Sequence, residues 1–325
     1  MTIKTFSISN HQGDTVHIAN YGARLVKWIT LVDSLPRNVI LAYDKLDDYL
    51  QDPFYIGAIV GPYANRIAHS SCSINGHSLQ LDANEGEHHL HGGSNAIANQ
   101  FWECIKHDAK AATLQCVLAD DFNGYPGPMT IIVCYKLLED GALSTTIDVL
   151  SDKETIAGPT THPYFNLNQD DEINENKAHN LQLFSGHFTP VDNAGLPHGD
   201  ITAVNGTALD YSKNRAIPDK AELDHNFLLV AEDTTQSTNC LTHAILQSHD
   251  KKLRLHVSSN YPAMQVYTGQ HLNAPFSAYQ GVCLEPQFCP DSPNQSSFPF
   301  HLTTEQRPLS TKIIYRLEKT PDKQR

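Results

Sequence analysis

Two segments of this chain put a titratable side chain into an apolar, strand-like run that ends in a loop. They are Thr161-His162-Pro163-Tyr164-Phe165-Asn166-Leu167 and, about 120 residues later, Gly281-Val282-Cys283-Leu284-Glu285-Pro286-Gln287. A histidine and a carboxylate are what a reaction uses when one group takes a proton as another gives one. Neither segment carries a metal-ligand or nucleophile signature, so proton transfer between heteroatoms is the first chemistry to consider. Each residue also has a structural role open to it. His162 precedes a proline, which favours extended backbone, and could be a core histidine bonded to main chain. Glu285 follows a run that looks buried, where a lone carboxylate is costly. A functional role or a buried ion pair would account for it.

Three further segments have unusual loop compositions: Gly61-Pro62-Tyr63-Ala64-Asn65-Arg66-Ile67, His88-His89-Leu90-His91-Gly92-Gly93 and Asp224-His225-Asn226-Phe227. A fourth stretch runs from Gln265 to Asn294. Asn65-Arg66 also reads as a surface turn with an exposed ion pair. His88, His89 and His91 invite a metal, and His89 and His91 would share one strand face. A zinc site needs about four ligands, however, and no cysteine or further histidine lies at a matching spacing, so no metal is assigned. The glycines after His91 suggest close approach of backbone to a ligand or to another strand. Nucleotide, hydrolase-elbow and zinc-protease motifs are missing from the sequence. Asn, Arg, Asp, Gln and His together can donate to and accept from hydroxyl groups. The residues alone thus point to a β-rich enzyme or a binding domain.

The elements that must position these residues read as strands. Alternation marks 113–118, 130–138, 143–150 and 253–257, and in the second of these Ile131, Val133, Tyr135 and Leu137 form an apolar face. Further strands are expected near 3–8, 15–20, 24–31, 37–43, 180–184, 226–230, 241–247, 263–268, 281–285 and 311–317. Turn residues such as Asn75-Gly76 punctuate them. The best helical window, Lys45 to Gln51, is about two turns long. Many short-spaced strands with little helix predict an all-β sandwich or barrel. Long loops are expected at 168–180 and 204–226.

The 325 residues are 40% hydrophobic, enough for a large core, and the net charge is −13. An acidic chain is a poor partner for nucleic acid, and it repels anionic membranes and phosphorylated ligands. Seven cysteines, an odd number with no CxxC, suit reduced thiols, and Met1 to Asn10 lacks a signal-like apolar run. A cytoplasmic location and no membrane span are therefore expected.

Read in order, the segments resemble the aldose 1-epimerases, or galactose mutarotases. The matching words are Asn65-Arg66-Ile67, Leu90-His91-Gly92-Gly93, His162 with Tyr164-Phe165-Asn166-Leu167, Asp224-His225, Gln265-Val266-Tyr267-Thr268-Gly269, and Leu284-Glu285-Pro286-Gln287 followed by Pro290-Asp291. The resemblance implies one domain over 1–325, a large antiparallel β-sandwich of the mutarotase supersandwich type with few short helices. It implies a cofactor-free interconversion of the α- and β-anomers of a hexose such as galactose or glucose. Glu285 would be the general base and His162 the general acid, acting as carboxylate and imidazolium, with their attraction favouring that state. Asn65, Arg66, His91, Asp224 and Gln265 would hold the sugar. Two alternatives stay open: a hexose 6-phosphate epimerase of the same fold, for which Lys213 and Arg215 could supply charge, and a non-catalytic sugar-binding domain. The chain departs from the family pattern at Pro163, at Gly206-Thr207-Ala208-Leu209-Asp210-Tyr211-Ser212, and in Pro290-Asp291-Ser292-Pro293-Asn294, where the family has Pro-Asp-Ala-x-Asn.

Overall fold

Residues 1–168, 179–229 and 240–320 are described by the structure, a computed structural model. Period-2 burial is its organising feature. In the strand Met129–Leu137 the residues Met129, Ile131, Val133, Tyr135 and Leu137 are buried, while Thr130, Ile132, Cys134 and Lys136 face outward to differing degrees. The same alternation recurs in Ala111–Leu118, Leu253–Ser259 and Leu309–Lys319. Each such strand buries one face and wets the other, so the sheet they form needs a second layer on its apolar side.

The large sheet has nine strands, in the spatial order Glu103–His107, Ala111–Leu118, Met129–Leu137, Ala142–Ser151, Leu309–Lys319, Leu253–Ser259, Leu241–Gln247, Asn180–Leu183 and Arg215–Ala216. All neighbours in it are antiparallel. Facing it is a layer made of two sheets. One has four strands, Thr5–Ser9, Thr15–Ala19, Leu25–Val32 and Leu35–Asn38. The other has six, in the order Tyr164–Phe165, Val282–Gln287, Ala263–Tyr267, Asp224–Leu228, His187–Thr189 and Thr202–Ala203. The two are joined where Ile40 bridges Phe165 and the Leu41 amide donates to the Tyr164 carbonyl at 2.8 Å. A continuous core between the layers draws on both, with Trp28 from the four-stranded sheet, Phe227, Val266 and Leu284 from the six-stranded sheet, and Leu114, Ile131 and Tyr315 from the large one.

These observations bear out the all-β antiparallel expectation. The 3₁₀ helix Leu46–Gln51 falls on the helical window. The strand expected over 37–43 ends at Asn38, because Val39 keeps a bond to Trp28 while Ile40 and Leu41 turn to the other sheet. The hairpin Ser71–Ile74 and His77–Gln80 was legible only through its Asn75-Gly76 turn. The loop expected over 204–226 contains the short edge strand Arg215–Ala216 and the start of Asp224–Leu228. Most of the loop expected over 168–180 lies outside the described residues. All seven cysteines are unpaired thiols. Among the described residues, no helix is long and apolar enough to cross a membrane.

Candidate active site

The six-stranded sheet turns one face to the core and the other to a cleft, and register decides which side chains reach the cleft. Gln265 is the cross-strand partner of Glu285, and Asn226 that of Gln265. Two residues along, Asp224, Tyr267, Cys283 and Tyr164 are successive partners. Partners share a face, and so do residues two apart. Asp224, Gln265 and Glu285 therefore project together, while Val266 and Leu284 enter the core. Pro286 is tolerated in this strand because the pairing with Tyr164–Phe165 stops at Cys283.

His162 lies in the two-residue gap between the strands Thr160–Thr161 and Tyr164–Phe165, which pair with different partners. Pro163 fits this gap, where the chain changes ladders and its missing N–H costs no ladder bond. The His162 backbone is pinned on both sides: its amide donates to the Ala58 carbonyl at 2.8 Å, and its carbonyl accepts from the Gly57 amide at 3.0 Å. Its Nε2 stands 3.6 Å from Glu285 Oε2. Cys283 Sγ is 3.7 Å from Nδ1. Thr161 Oγ1 bonds Tyr315 Oη at 2.8 Å, and Tyr315 Oη donates to the Leu284 carbonyl at 2.7 Å. One core tyrosine thus ties together the two segments that carry His162 and Glu285.

Asn65, Arg66 and His91 also line the cleft, with the His91 ring edge-on to that of His162 at 5.5 Å between centroids. Asn65 and His91 both have left-handed backbone, with φ of 67° and 51°. They bond reciprocally: the His91 amide donates to the Asn65 carbonyl and the Asn65 amide to His91 Nδ1, both at 3.2 Å. Because Nδ1 accepts, a neutral His91 carries its proton on Nε2. Burial, then the neighbouring His162 and Arg66, hold His91 well below the usual imidazole range. The left-handed turn also takes His91 off the strand face of His89, contrary to the sequence expectation. His89 instead packs inside, bonded to Tyr125 Oη at 2.7 Å and the Asp82 carbonyl at 2.6 Å, and His88 lies near the surface beside His69 and Glu87. Gly92 is required by close approach, since a Cβ there would meet the Gly61 carbonyl oxygen at 1.8 Å. Arg66 is held by Glu85 in a two-pronged pair, Nε to Oε2 at 2.7 Å and a second guanidinium nitrogen to Oε1 at 2.9 Å.

All seven residues singled out in the sequence, Asn65, Arg66, His91, His162, Asp224, Gln265 and Glu285, line one cleft that opens to solvent. Phe54, Tyr55, Glu85 and His271 also line it, and nothing in the sequence singled them out. Phe54 and Tyr55 come from a loop fixed by the fully buried Arg24–Asp52 ion pair. Asp52 accepts from the Phe54 and Ile56 amides at 3.0 and 2.7 Å, and Arg24 donates to the Ile56 and Ala98 carbonyls. Aromatic rings beside clustered polar groups suit a ligand with one apolar face and many hydroxyls.

Electrostatics departs from the sequence expectation. Burial lowers His162 to about 4. Burial, reinforced by the nearby Asp224 carboxylate, pushes Glu285 well above the usual carboxylate range. Mutual attraction was expected to favour the imidazolium–carboxylate form, but desolvation opposes both charges. Burial therefore favours a neutral imidazole beside a protonated carboxyl over the doubly charged pair. Among the described residues Lys213 and Arg215 stay off the cleft, and Arg215 stacks on Tyr211, 4.0 Å from its ring centre.

A sequence model of the family described as Aldose 1-epimerase matches residues 4–316. The chain is 31% identical to the aldose 1-epimerase of Escherichia coli over 314 residues, covering 91% of this chain and 89% of the relative. It is 31% identical to the galactose mutarotase of Bos taurus over 276 residues, covering 81% and 78%. The crystal structure of an aldose epimerase homologue from C. elegans superposes with a TM-score of 0.91 at 24% identity, covering 98% of this chain and all of that one.

Proposed function

The chain belongs to the aldose 1-epimerase family of isomerases, and from that premise we propose that it interconverts the α- and β-anomers of a free hexose such as galactose or glucose. The observation that carries this reading is the 3.6 Å separation of His162 Nε2 and Glu285 Oε2 at the floor of the cleft. Two groups that close can reach two oxygens bonded to one carbon, the C1 hydroxyl and the ring oxygen. Glu285 takes the hydroxyl proton as His162 gives one to the ring oxygen, and the C1–O5 bond opens to the aldehyde. Rotation about C1–C2 presents the other carbonyl face. Closure then reverses both transfers.

The pair needs one proton in total, a count that burial favours by opposing both charges. Binding of the sugar has only to move that proton from the carboxyl to the imidazole, so nothing must be taken from solvent. Acid and base catalysis by fixed groups contribute about 10²–10⁴-fold each. Asn65, Arg66, His91, Asp224 and Gln265 hold the hydroxyls. Gln265 Nε2 donates to Asp224 Oδ1 at 2.6 Å, which leaves the second carboxylate oxygen for the sugar.

The substrate is read as neutral. Among the described residues, Arg66 is the one arginine or lysine lining the cleft, and Glu85 already takes it two-pronged, with Asp224 and Glu285 being further acidic residues there. A phosphate normally needs an arginine cluster or a helix N-terminus. The test is polarimetry on freshly dissolved α-D-galactose and α-D-glucose with and without protein, followed by kcat/KM for the matching 6-phosphates at low ionic strength. Faster mutarotation of the free sugars is the expected result. An unchanged rotation curve for both would leave a binding domain, and a higher kcat/KM for a phosphate would overturn the substrate reading.

A further inference from the structure

Thr189, Asn226, Gln265 and Glu285 are successive cross-strand partners on four neighbouring strands, so their side chains form one row on the cleft side of the sheet. The parallel row two residues along is His187, Leu228, Ala263 and Gln287. Thr189 and Gln287 are fully buried, and Asn226 is 1% exposed. Every member of the first row carries a buried polar atom with no bonding partner: Thr189 Oγ1, both amide atoms of Asn226, Gln265 Oε1 and Glu285 Oε2. His187 Nδ1 and Gln287 Oε1 in the second row are in the same condition. Seven such atoms gathered on one patch of one sheet are unusual, because native proteins leave few buried polar groups unpaired. Each would cost about 1–3 kcal/mol if it stayed so.

The chemistry of the row shows what completes it. Gln265 Nε2 is committed to Asp224, so its Oε1 faces the row as an acceptor, and its cross-strand partner Glu285 presents Oε2, an acceptor in the ionised state that the base step requires. Two neighbouring acceptors call for a double donor between them. Water has two donors, and its oxygen can receive the Asn226 amide in return, giving the three bonds typical of an interior water.

We propose that this row is a built-in site for ordered water and that Asn226, which does not line the cleft, is a positioning residue for Glu285. The inference rests on the anomer-interconversion reading. Through the bound water Asn226 sets the Gln265 amide and the Glu285 carboxyl in place, and supplies a dipole to a carboxyl that must carry charge in each turnover. The other titratable groups facing Glu285 are His162, Asp224, Tyr164, Tyr267, Tyr315 and Cys283. Substitution of Asn226 leaves all of them in place.

The experiment compares Asn226→Leu and Thr189→Val with the parent protein by kcat, KM and the pH profile of mutarotation, alongside a high-resolution crystal structure of the parent. Asn226→Leu should lower kcat about ten-fold or more with KM little changed, the scale of a small misplacement of a reacting group. It should also move the carboxyl-controlled limb of the profile to higher pH. Thr189→Val should do the same more weakly, which keeps the idea testable should the leucine variant fail to fold. The parent should show water bonded to Asn226 and Gln265. A merely structural row predicts kcat and pH limbs like those of the parent, and that outcome overturns the positioning role. Direct bonds among Asn226, Gln265 and Glu285 in the crystal, with no water, overturn the water site. A parent protein inactive on both sugars overturns the functional reading and the positioning role with it, leaving the water site to be judged from the crystal structure alone.

Discussion

Glu285 separates activity from stability. Its carboxyl titrates higher folded than unfolded, so the native state holds a proton that the unfolded chain gives up. The stabilising contribution of that proton is complete below about pH 4.5, the unfolded value, and is lost as pH rises through the folded one. At neutral or alkaline pH a buried carboxylate therefore works against the fold. Glu285→Gln should lower turnover by at least about 10²-fold, since the amide cannot take the C1 proton. The same variant should melt at a higher temperature than the parent at pH 8, and a lower melting point there would contradict the account. The pH profile of kcat/KM carries a second consequence. The working pair holds one proton, so activity ends on the acid side when the imidazole takes another, near 4 and not near the usual 6.5. The alkaline limb belongs to the carboxyl. An acid limb at pH 6 or above, measured by polarimetry with a neutral sugar, would show that the imidazole is not desolvated as the structure has it.

The strands and loops that present these residues differ in how visibly the sequence announces them. Long alternating runs such as 111–118 and 129–137 declare themselves, because a half-buried strand must alternate. The seven cleft residues were also legible, since each sits in a short word of unusual composition. Glu85 was not: its role depends on reaching Arg66, and its own neighbours, Asn84 and Gly86, read as an ordinary turn. Nor was Tyr55, which reaches the cleft only through its loop's anchoring on Asp52. The desolvation of His162 was invisible for the same reason, because burial is a property of what packs around a residue. The loop that carries Phe54 and Tyr55 supplies a prediction at this scale. The Arg24 and Asp52 side chains are wholly buried, and they bond each other and main-chain groups, with Tyr43 Oη also donating to Asp52. Asp52→Asn leaves an unpaired buried guanidinium and should cost about 3–5 kcal/mol in denaturant unfolding. The double replacement Arg24→Met with Asp52→Leu should cost less in stability than the single one. Its KM should still rise, because the loop amides lose their acceptor. A single variant as stable as the parent would remove the pair from the loop's support.

Across the whole molecule, buried neutral histidines set the response to acid. His162 and His179 are lowered to about 4 and His243 to about 3, in each case chiefly by burial. His179 Nε2 accepts from the Leu167 amide, and His243 Nε2 meets Ser259 Oγ at 2.7 Å. A histidine with a depressed folded value contributes its full stability above about 6.5 and loses it as pH falls toward the folded value. Each should therefore remove on the order of 1 kcal/mol per pH unit below pH 6.5. The melting temperature should fall steeply between pH 7 and 5, and His243→Gln, far from the proposed chemistry, should flatten that slope. An equal slope in the variant would assign the acid response to other groups. The nine-stranded sheet has a consequence of another kind. Its strand Leu309–Lys319 lies between Ala142–Ser151 and Leu253–Ser259, yet follows every other described strand along the chain. A ribosome therefore delivers this sheet as two separate halves, each with an unpaired inner edge, and the seam closes only when the last strand arrives. Tyr315 rides on that strand and ties the His162 segment to the Glu285 segment. The nascent chain thus gains this tie between the two segments only late, and until then its unpaired edges are what a chaperone would have to cover.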